Sequence, residues 1–292
     1  MPNARLRASA ASLNAPSRLV VEPIVRAALL EDIGHGGDLT TDAIVDAGAG
    51  GSARIVARTA GVIAGFNAAS LAFTLLDGDV AITPHAADGD LVDANATIAH
   101  LRGRARALLT GERTAINVLG RLCGIATLTH RFVLLTRGTS ARITDTRKTT
   151  PGLRVLEKYA VRCGGGVNHR FGLDDAVLVK DNHVAAAGSV ATAVEAVRAS
   201  IGHMVKVQVE VDTLAQLREA LDAGVDAVLL DNMSLEQLAE AVRIVNRRAV
   251  IEASGGVTVE TVAAIAATGV DLISSGALTH SAPALDVALD WD

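Results

Sequence analysis

The second half of the chain alternates short β-branched runs with helical patterns, and this rhythm constrains the fold most. Three consecutive runs end at the acids Glu210, Asp231 and Glu252, which are spaced 21 residues apart. Repeating βα units of this size give parallel strands with helices outside the sheet. The six runs predicted to be strands are Ala141–Thr144, Ala176–Val179, Val205–Val211, Ala227–Leu230, Ala249–Ile251 and Val270–Ile273.

Helix signals fill the gaps between the later strands. Thr213 with Gln216, and Ser234 with Gln237, fit the capping box that begins a helix. Gly224 fits the position just after a helix end. Six such strands predict a barrel of TIM type that is short of the usual eight, and a doubly wound open sheet is the alternative. The predicted helices are Thr213–Ala223, Ser234–Val245 and Thr258–Thr268.

The first part of the chain lacks this rhythm and indicates a separate, mixed α+β domain. Its expected strands and helices are Ala53–Ala57, Val62–Ala64, Val80–Thr83, Ala68–Leu76 and Gly111–Leu122. We expect the chain to change domain near Val118. The expected organisation is an N-terminal arm at 1–20, a first domain at 21–118, a barrel at 119–276, and a tail at 277–292 that packs back on the first domain.

Composition narrows the class of protein. Aromatic residues make up 2% of the chain, so the core must consist of Ala, Val, Leu and Ile. The net charge of −5 argues against a nucleic-acid-binding surface. Two cysteines without metal spacing favour reduced thiols in the cytoplasm, and no apolar run predicts a membrane span. The Arg- and Ser-containing arm weakly resembles a transit peptide, but it lacks a clear amphipathic face, which favours partial disorder.

The predicted strand ends carry the chemistry, since function gathers at the carboxyl ends of parallel strands. The first two ends supply cations and the middle ends supply acids. The last two ends supply the Gly/Ser turns Ser254–Gly256 and Ser275–Ala277, where backbone N–H groups could bind a phosphate. The acids Glu210 and Asp231 could hold ribose hydroxyls or Mg²⁺, or could form structural ion pairs.

A glycine-rich loop between the first two strands ends at His169 and Arg170. Near Arg147, Lys148 and Lys180 this pair would complete a cluster of positive charge. Gathering so many cations is unfavourable without an anionic ligand. The sequence therefore predicts a polyanionic substrate.

These residues lie in motifs that resemble the quinolinate phosphoribosyltransferase family. The central motif runs Thr144-Asp-Thr-Arg-Lys-Thr-Thr-Pro-Gly-Leu153 and continues as Glu157-Lys-Tyr-Ala-Val-Arg-Cys-Gly-Gly-Gly-Val-Asn-His-Arg170. Val179-Lys-Asp-Asn-His183 and Glu252-Ala-Ser-Gly-Gly256 resemble further family motifs. The resemblance covers the chain from about Glu31 to its C-terminus.

The resemblance implies an N-terminal open α/β sandwich, a C-terminal incomplete TIM-like α/β barrel, and transfer of phosphoribose from phosphoribosyl pyrophosphate to quinolinate with decarboxylation. It also implies Mg²⁺ and a homodimer or higher oligomer with shared active sites. Lys148, Lys180, Glu210 and Asp231 would be catalytic, and the two acids would hold the metal. The 5′-phosphate would lie against Ser254, Gly255, Gly256, Ser275, Gly276 and Ala277. The other substrate-binding residues would be Arg113 from the partner subunit, Thr146, Arg147, His169, Arg170 and His183.

Some features depart from the family pattern. Gln208 stands where a second glutamate is common, and Ser275 replaces a usually apolar residue. Two other functions remain alternatives: a molybdenum-associated homologue that uses another acceptor, and a non-catalytic nucleotide or phosphate sensor. A dicarboxylate acceptor is favoured by the full retention of Arg147, His169, Arg170 and Lys180. The presence of Glu210 and Asp231 disfavours a sensor.

Overall fold

The computed structural model describes residues 13–292. Most of the predicted N-terminal arm, residues 1–12, lies outside the described residues, and its last three residues begin the first helix. The elements, in chain order, are α1 (Arg18–Ile33), α2 (Leu39–Ile44), β1 (Gly50–Ala57), β2 (Gly61–Val62), α3 (Phe66–Thr74), β3 (Ala81–Pro84), β4 (Leu91–Val92), β5 (Thr97–Arg104), α4 (Ala105–Leu135), β6 (Arg142–Thr144), α5 (Arg154–Cys163), β7 (Val177–Val179), α6 (Asp181–Ala187), α7 (Val190–Ser200), β8 (Val207–Val211), α8 (Leu214–Asp222), β9 (Ala227–Asp231), α9 (Leu235–Val245), β10 (Val250–Ser254), α10 (Val262–Ala267), β11 (Leu272–Ser274), α11 (Ala277–His280) and β12 (Val287–Trp291).

The chain divides into two compact units that are interleaved along the sequence. Unit 1 holds the described residues up to His130, then Thr149–Gly165 and Ser281–Asp292, and unit 2 holds Arg131–Lys148 and Gly166–His280. This partition differs from the contiguous domains expected from sequence. The expected boundary at residue 118 falls inside α4, where the helix continues without a break.

Unit 1 is built on an antiparallel sheet with the order β12-β1-β5-β3. The C-terminal strand β12 pairs with β1 from Ala53↔Trp291 to Ala57↔Val287. The tail expected at 277–292 thus begins with the short helix α11 in unit 2 and ends as an edge strand of the unit 1 sheet. A second, two-stranded sheet pairs β2 with β4.

Three glycines of helix α4 allow other segments of the same chain to pack closely against it. A Cβ atom on Gly111 would come within 2.9 Å of a Phe73 side-chain carbon. On Gly120 it would lie 2.9 Å from the Leu285 carbonyl oxygen, and on Gly124 it would clash with the Pro283 carbonyl oxygen. By length and composition alone α4 could cross a membrane, but half of its most apolar stretch is buried, as in the core helix of a globular protein.

Unit 2 confirms the predicted βα rhythm. Its six-stranded parallel sheet has the order β6-β11-β10-β9-β8-β7, with β6 and β7 at the two ends, which is an incomplete TIM-like barrel. All six predicted strands are present with boundaries shifted by one to three residues. The capping boxes at Thr213 and Ser234 form as predicted, with side-chain bonds to Gln216 and Gln237. The parallel strands bring their carboxyl ends to one edge, where the candidate site lies.

Candidate active site

Asp145, at the end of β6, ties the loop that follows Gly166 to the edge of the barrel. Its carboxylate is buried and accepts hydrogen bonds from the Asn168 amide at 2.5 Å and from the His169 backbone N–H at 2.9 Å. Val167 also donates its N–H to the Ile143 carbonyl at 2.8 Å. The structure therefore brings His169 and Arg170 to the strand ends, as the sequence predicts.

His169 is held by a buried polar network from two other strands. Its Nε2 lies 3.0 Å from Oε1 of Gln208 on β8 and 3.4 Å from Oε2 of Glu252 on β10. Gln208 donates through Nε2 to the same Glu252 oxygen at 2.8 Å. Burial would raise the pKa of Glu252, but its contacts with His169 and Gln208 outweigh burial and hold the pKa below its ordinary value. Glu252 is therefore an anion at neutral pH.

Two guanidinium groups form the positive centre of the site. The Nε atoms of Arg147 and Arg170 are buried and have no hydrogen-bond partner among the described residues. Burial and then the neighbouring charge of Arg147 lower the pKa of Arg170. Arg170 is anchored by an Nη1 bond to the Ala176 carbonyl at 3.0 Å. Unpaired buried donors beside a like charge are costly unless an anion binds there.

Lys180 and Glu210 face each other at the ends of two neighbouring strands. Lys180 follows β7, and its Nζ lies 3.1 Å from Oε2 of Glu210 on β8. The Lys180 backbone N–H donates to Nδ1 of His183 at 2.9 Å, so the exposed His183 side chain caps the start of α6. The predicted residues Lys180, His183 and Glu210 are thus adjacent.

Lys148 lies beside the last strand of the barrel. Its backbone N–H donates to the Thr146 hydroxyl at 3.0 Å, and its carbonyl accepts from the Thr279 hydroxyl at 2.8 Å. A Cβ atom on Gly276 would lie 2.8 Å from Cδ of Lys148. Glycine at 276 therefore lets the lysine side chain lie over the turn after β11.

The Gly/Ser turn after β10 depends on glycine. Gly255 has a φ of +89°, and a Cβ there would clash with Oδ1 of Asn232. Gly256 has a φ of +62° with open space around it. This turn does not enter a helix directly, because α10 begins only at Val262. Ser254 ends β10, and its carbonyl accepts from the Asn232 N–H at 2.9 Å.

The turn after β11 uses its serine within the fold. The Ser275 side chain is buried and its hydroxyl donates to the Val257 carbonyl at 3.3 Å, while its N–H donates to the Thr144 carbonyl at 3.1 Å. The hydroxyl is thus occupied in this structure. Any anion at this turn would meet the backbone of Gly276 and Ala277.

The two acids predicted to hold a metal are Glu210 on β8 and Asp231 at the end of β9, strands that pair in parallel. Asp231 accepts from the Asn232 side-chain amide at 2.7 Å. Among the described residues, no three His, Cys, Asp or Glu side chains form a metal cluster. Arg113 is the one predicted site residue in unit 1, where it is exposed on α4.

Sequence reasoning missed the supporting residues of this site. From the sequence alone no role is assigned to the strand-end acid Glu252, nor to Asp145, Asn168 or Gln208. The available signal was a carboxylate or amide at an inward position of an otherwise apolar strand, as in Val207-Gln-Val-Glu-Val211. Such a buried polar group requires a partner.

Comparisons with known proteins match both parts of the chain to one family. Residues 38–123 match the N-terminal domain of quinolinate phosphoribosyl transferase, and residues 125–290 match its C-terminal domain. The chain is 45% identical over 274 residues to a probable nicotinate-nucleotide pyrophosphorylase (carboxylating) of Bacillus subtilis, with 94% of each chain covered.

Solved structures give the same result at the level of the fold. A crystal structure of NadC from Streptococcus pyogenes superposes with a TM-score of 0.92 at 41% identity, covering 96% of this chain and 99% of that one. The nicotinate-nucleotide pyrophosphorylase from Francisella tularensis superposes with a TM-score of 0.90 at 39% identity, covering 96% and 99%.

Proposed function

Because the chain belongs to the quinolinate phosphoribosyl transferase family, we infer that it transfers phosphoribose from phosphoribosyl pyrophosphate to quinolinate. The transfer is accompanied by decarboxylation and gives nicotinate mononucleotide, pyrophosphate and CO₂, a step of NAD synthesis. A relative from Nicotiana glauca, 38% identical over 310 residues, is named quinolinate phosphoribosyltransferase (decarboxylating). The observation in the site that supports this most directly is a pair of buried guanidinium Nε atoms, on Arg147 and Arg170, for which residues 13–292 offer no hydrogen-bond partner.

The cationic centre suits a small dicarboxylate. Quinolinate carries two negative charges at neutral pH, and planar guanidinium groups pair with carboxylates through two parallel hydrogen bonds. We assign Arg147, Arg170 and Lys180 to its carboxylates, with Thr146, His169 and His183 around them. Binding the dianion would supply partners for the two Nε atoms and relieve the repulsion between the arginines.

The second substrate would occupy the acidic and glycine-rich part of the edge. We assign Lys148 to the pyrophosphate of phosphoribosyl pyrophosphate, because a lysine beside Gly276 can place a point charge near a phosphate. The 5′-phosphate would lie against Ser254–Gly256 and the turn Ser275–Ala277, where backbone N–H groups could receive it.

Glu210 and Asp231 fit a Mg²⁺ ion that arrives with the substrate. Mg²⁺ is commonly held by one or two carboxylates together with substrate phosphates, and these are the oxygen ligands that the ends of β8 and β9 offer. The absence of a third metal-binding side chain among the described residues is compatible with such a shared site. When bound, the ion would neutralise charge on the pyrophosphate.

The reaction requires that the substrates be positioned and that their charges be stabilised. It does not require a nucleophile from the protein. The lone pair of the pyridine nitrogen forms the bond to ribose C1 while the C1–O bond breaks and its electrons leave with pyrophosphate. The bond from C2 to its carboxylate then breaks, CO₂ departs, and the electron pair stays beside the ring N⁺ until C2 takes up a proton. Lys148 would stabilise the leaving group, and the acids would stabilise positive charge at the ribosyl centre.

Three further assignments complete the proposal. We propose a homodimer with shared sites in which the exposed Arg113 reaches the partner's quinolinate, or a higher oligomer built from such dimers. We also propose a cytoplasmic location, because Cys123 and Cys163 are free, buried thiols of the kind that reducing compartments maintain. We expect neither nucleic acid nor membrane as a partner.

A direct assay tests the reaction. The protein is incubated with phosphoribosyl pyrophosphate, Mg²⁺ and either quinolinate or nicotinate, and nicotinate mononucleotide and CO₂ are measured. We expect turnover with quinolinate and a discrimination against nicotinate that can reach about 10⁴, because the missing carboxylate leaves buried cations unpaired. Equal rates with both acceptors would rule out the dicarboxylate site, and no turnover with either would rule out the reaction.

A further inference from the structure

Gln208 lies between two groups with opposite hydrogen-bonding needs. The residue is 9% exposed, with Oε1 at 3.0 Å from Nε2 of His169 and Nε2 at 2.8 Å from Oε2 of Glu252. An amide has one accepting end and one donating end. The direction in which Gln208 is oriented therefore determines which partner must donate.

The chemistry of Glu252 fixes that direction. Glu252 is 1% exposed, and its Oε2 lies 2.8 Å from Nε2 of Gln208 and 3.4 Å from Nε2 of His169. An ionised carboxylate can only accept hydrogen bonds. The NH₂ end of Gln208 must therefore face Glu252, and the carbonyl end must face His169. Nε2 of His169 then has to carry a proton.

The other ring nitrogen of His169 is also specified. Nδ1 accepts the backbone N–H of Arg170 at 2.8 Å, so it cannot carry a proton itself. With Nε2 protonated and Nδ1 accepting, the ring is neutral. Ionisable groups beside His169 include Asp145, which accepts its backbone N–H, Glu252 on β10, and Arg170, which follows it in the chain.

We propose that Gln208 is a positioning residue that fixes His169 as the neutral Nε2–H tautomer and, through Nδ1, orients the backbone of Arg170. This inference rests on the proposed function. It assigns the recognition of the substrate carboxylates to Arg147, Arg170 and Lys180, while His169 acts through Arg170 and adds no charge of its own. The substrate specificity of the site thus depends on an amide that need not touch the substrate.

The tautomer can be measured in the unaltered protein. Histidine ¹⁵N labelling with long-range proton–nitrogen correlation distinguishes the two neutral tautomers and the imidazolium, and a His169→Asn variant assigns the signal among the eight histidines. We expect His169 to show a protonated Nε2 and an unprotonated Nδ1 at neutral pH. An Nδ1–H tautomer or an imidazolium would overturn the proposal.

Kinetics of two variants test the consequence. Gln208→Met and Gln208→Leu keep the approximate volume but remove both hydrogen bonds. Both should raise the KM for quinolinate about tenfold or more, the scale of one hydrogen bond to a charged group, and change the KM for phosphoribosyl pyrophosphate by a smaller factor. Gln237→Met, the same exchange in the exposed capping box of α9, is the matched control and should leave both constants unchanged.

The outcomes separate this inference from the proposed function. If the unaltered protein shows no turnover of quinolinate, the function fails while the tautomer of His169 can still be read. If turnover is present and the Gln208 variants keep a wild-type KM for quinolinate, Gln208 is not a positioning residue. Equal increases in both KM values would also contradict a role confined to Arg170.

Discussion

The Nζ atom of Lys180 lies 3.1 Å from Oε2 of Glu210, so one ion pair joins the ends of β7 and β8. In the proposed assignment the ammonium group of Lys180 binds quinolinate. The carboxylate of Glu210 faces phosphoribosyl pyrophosphate and Mg²⁺. The pair thus connects the two substrate positions. Lys180 is 48% exposed and Glu210 16% exposed, so solvent screens the attraction in part.

Lys180→Met and Glu210→Gln should each lower kcat/KM, and the double variant should lose less than the sum of the two. A partly exposed pair predicts a coupling of roughly 0.2–1 kcal/mol in a double-mutant cycle. Lys206→Met is the matched control, since Lys206 forms an exposed pair with Asp226 at 2.6 Å just before β8. Losses that add fully would show that the two positions act independently.

Lys148→Ala should fold normally and lose turnover. The side chain is exposed at a strand end, whereas the backbone contacts with Thr146 and Thr279 do not depend on it. Loss of one positioned charge that stabilises the leaving group should lower kcat by about 10²–10³. Circular dichroism checks the fold and steady-state assays the rate. A variant with wild-type kcat would remove Lys148 from the mechanism.

Gly255→Ala and Gly256→Ala should differ in stability because their surroundings differ. Both positions have positive φ, which costs an alanine on the order of 1–2 kcal/mol. Only at 255 would the new methyl also clash with Asn232. Denaturant unfolding should therefore show a larger loss for Gly255→Ala, and the KM for phosphoribosyl pyrophosphate should rise. Equal losses would mean that Asn232 can move aside.

Glu252→Gln should destabilise the protein in a pH-dependent way. Because the folded-state pKa of Glu252 is lowered, its charged form contributes stability above the ordinary glutamate range near pH 4. That contribution is lost as the pH falls through the folded-state value. The difference in unfolding free energy from wild type should be about 1–3 kcal/mol at pH 7 and should shrink below pH 4. Glu195→Gln, on the exposed part of α7, is the control.

Arg113→Ala and Lys148→Ala chains should complement each other in mixed dimers. If Arg113 acts across the interface, one of the two sites in a mixed dimer takes an intact arginine and an intact lysine from different chains. Each mixed dimer should then recover up to about half of wild-type activity, as two-fold symmetry requires. Activity that stays at the single-variant level, with mixed dimers demonstrated by mass spectrometry, would place Arg113 outside the neighbouring site.

The helices and strands that are specified by residues close in sequence could be predicted. The β-branched runs and capping boxes of unit 2 are specified within about twenty residues, and all six strands were found. Strand β12 was missed because its pairing with β1 joins residues more than two hundred positions apart, such as Ala53 and Trp291. Helix α4 was predicted too short, because Gly111, Gly120 and Gly124 weaken a helix locally and are explained only by what packs against them.

The residues of the candidate site likewise fall into a predictable and an unpredictable group. Motif and strand position predicted the cations and acids at the strand ends. The network of Gln208, His169 and Glu252 could not be predicted, because it depends on hydrogen-bond distances between a loop and two separate strands. The occupied hydroxyl of Ser275 likewise depends on a carbonyl 18 residues away.

The position of β12 constrains how the protein can be made in the cell. The sheet of unit 1 contains β1, yet it takes an edge strand from Val287–Trp291, more than two hundred residues later. Domains commonly fold during synthesis from the N-terminus onward. Here one edge of β1 stays unpaired until Val287–Trp291 has been synthesised. A variant that lacks Val287–Trp291 would keep that edge open, and open edges promote aggregation.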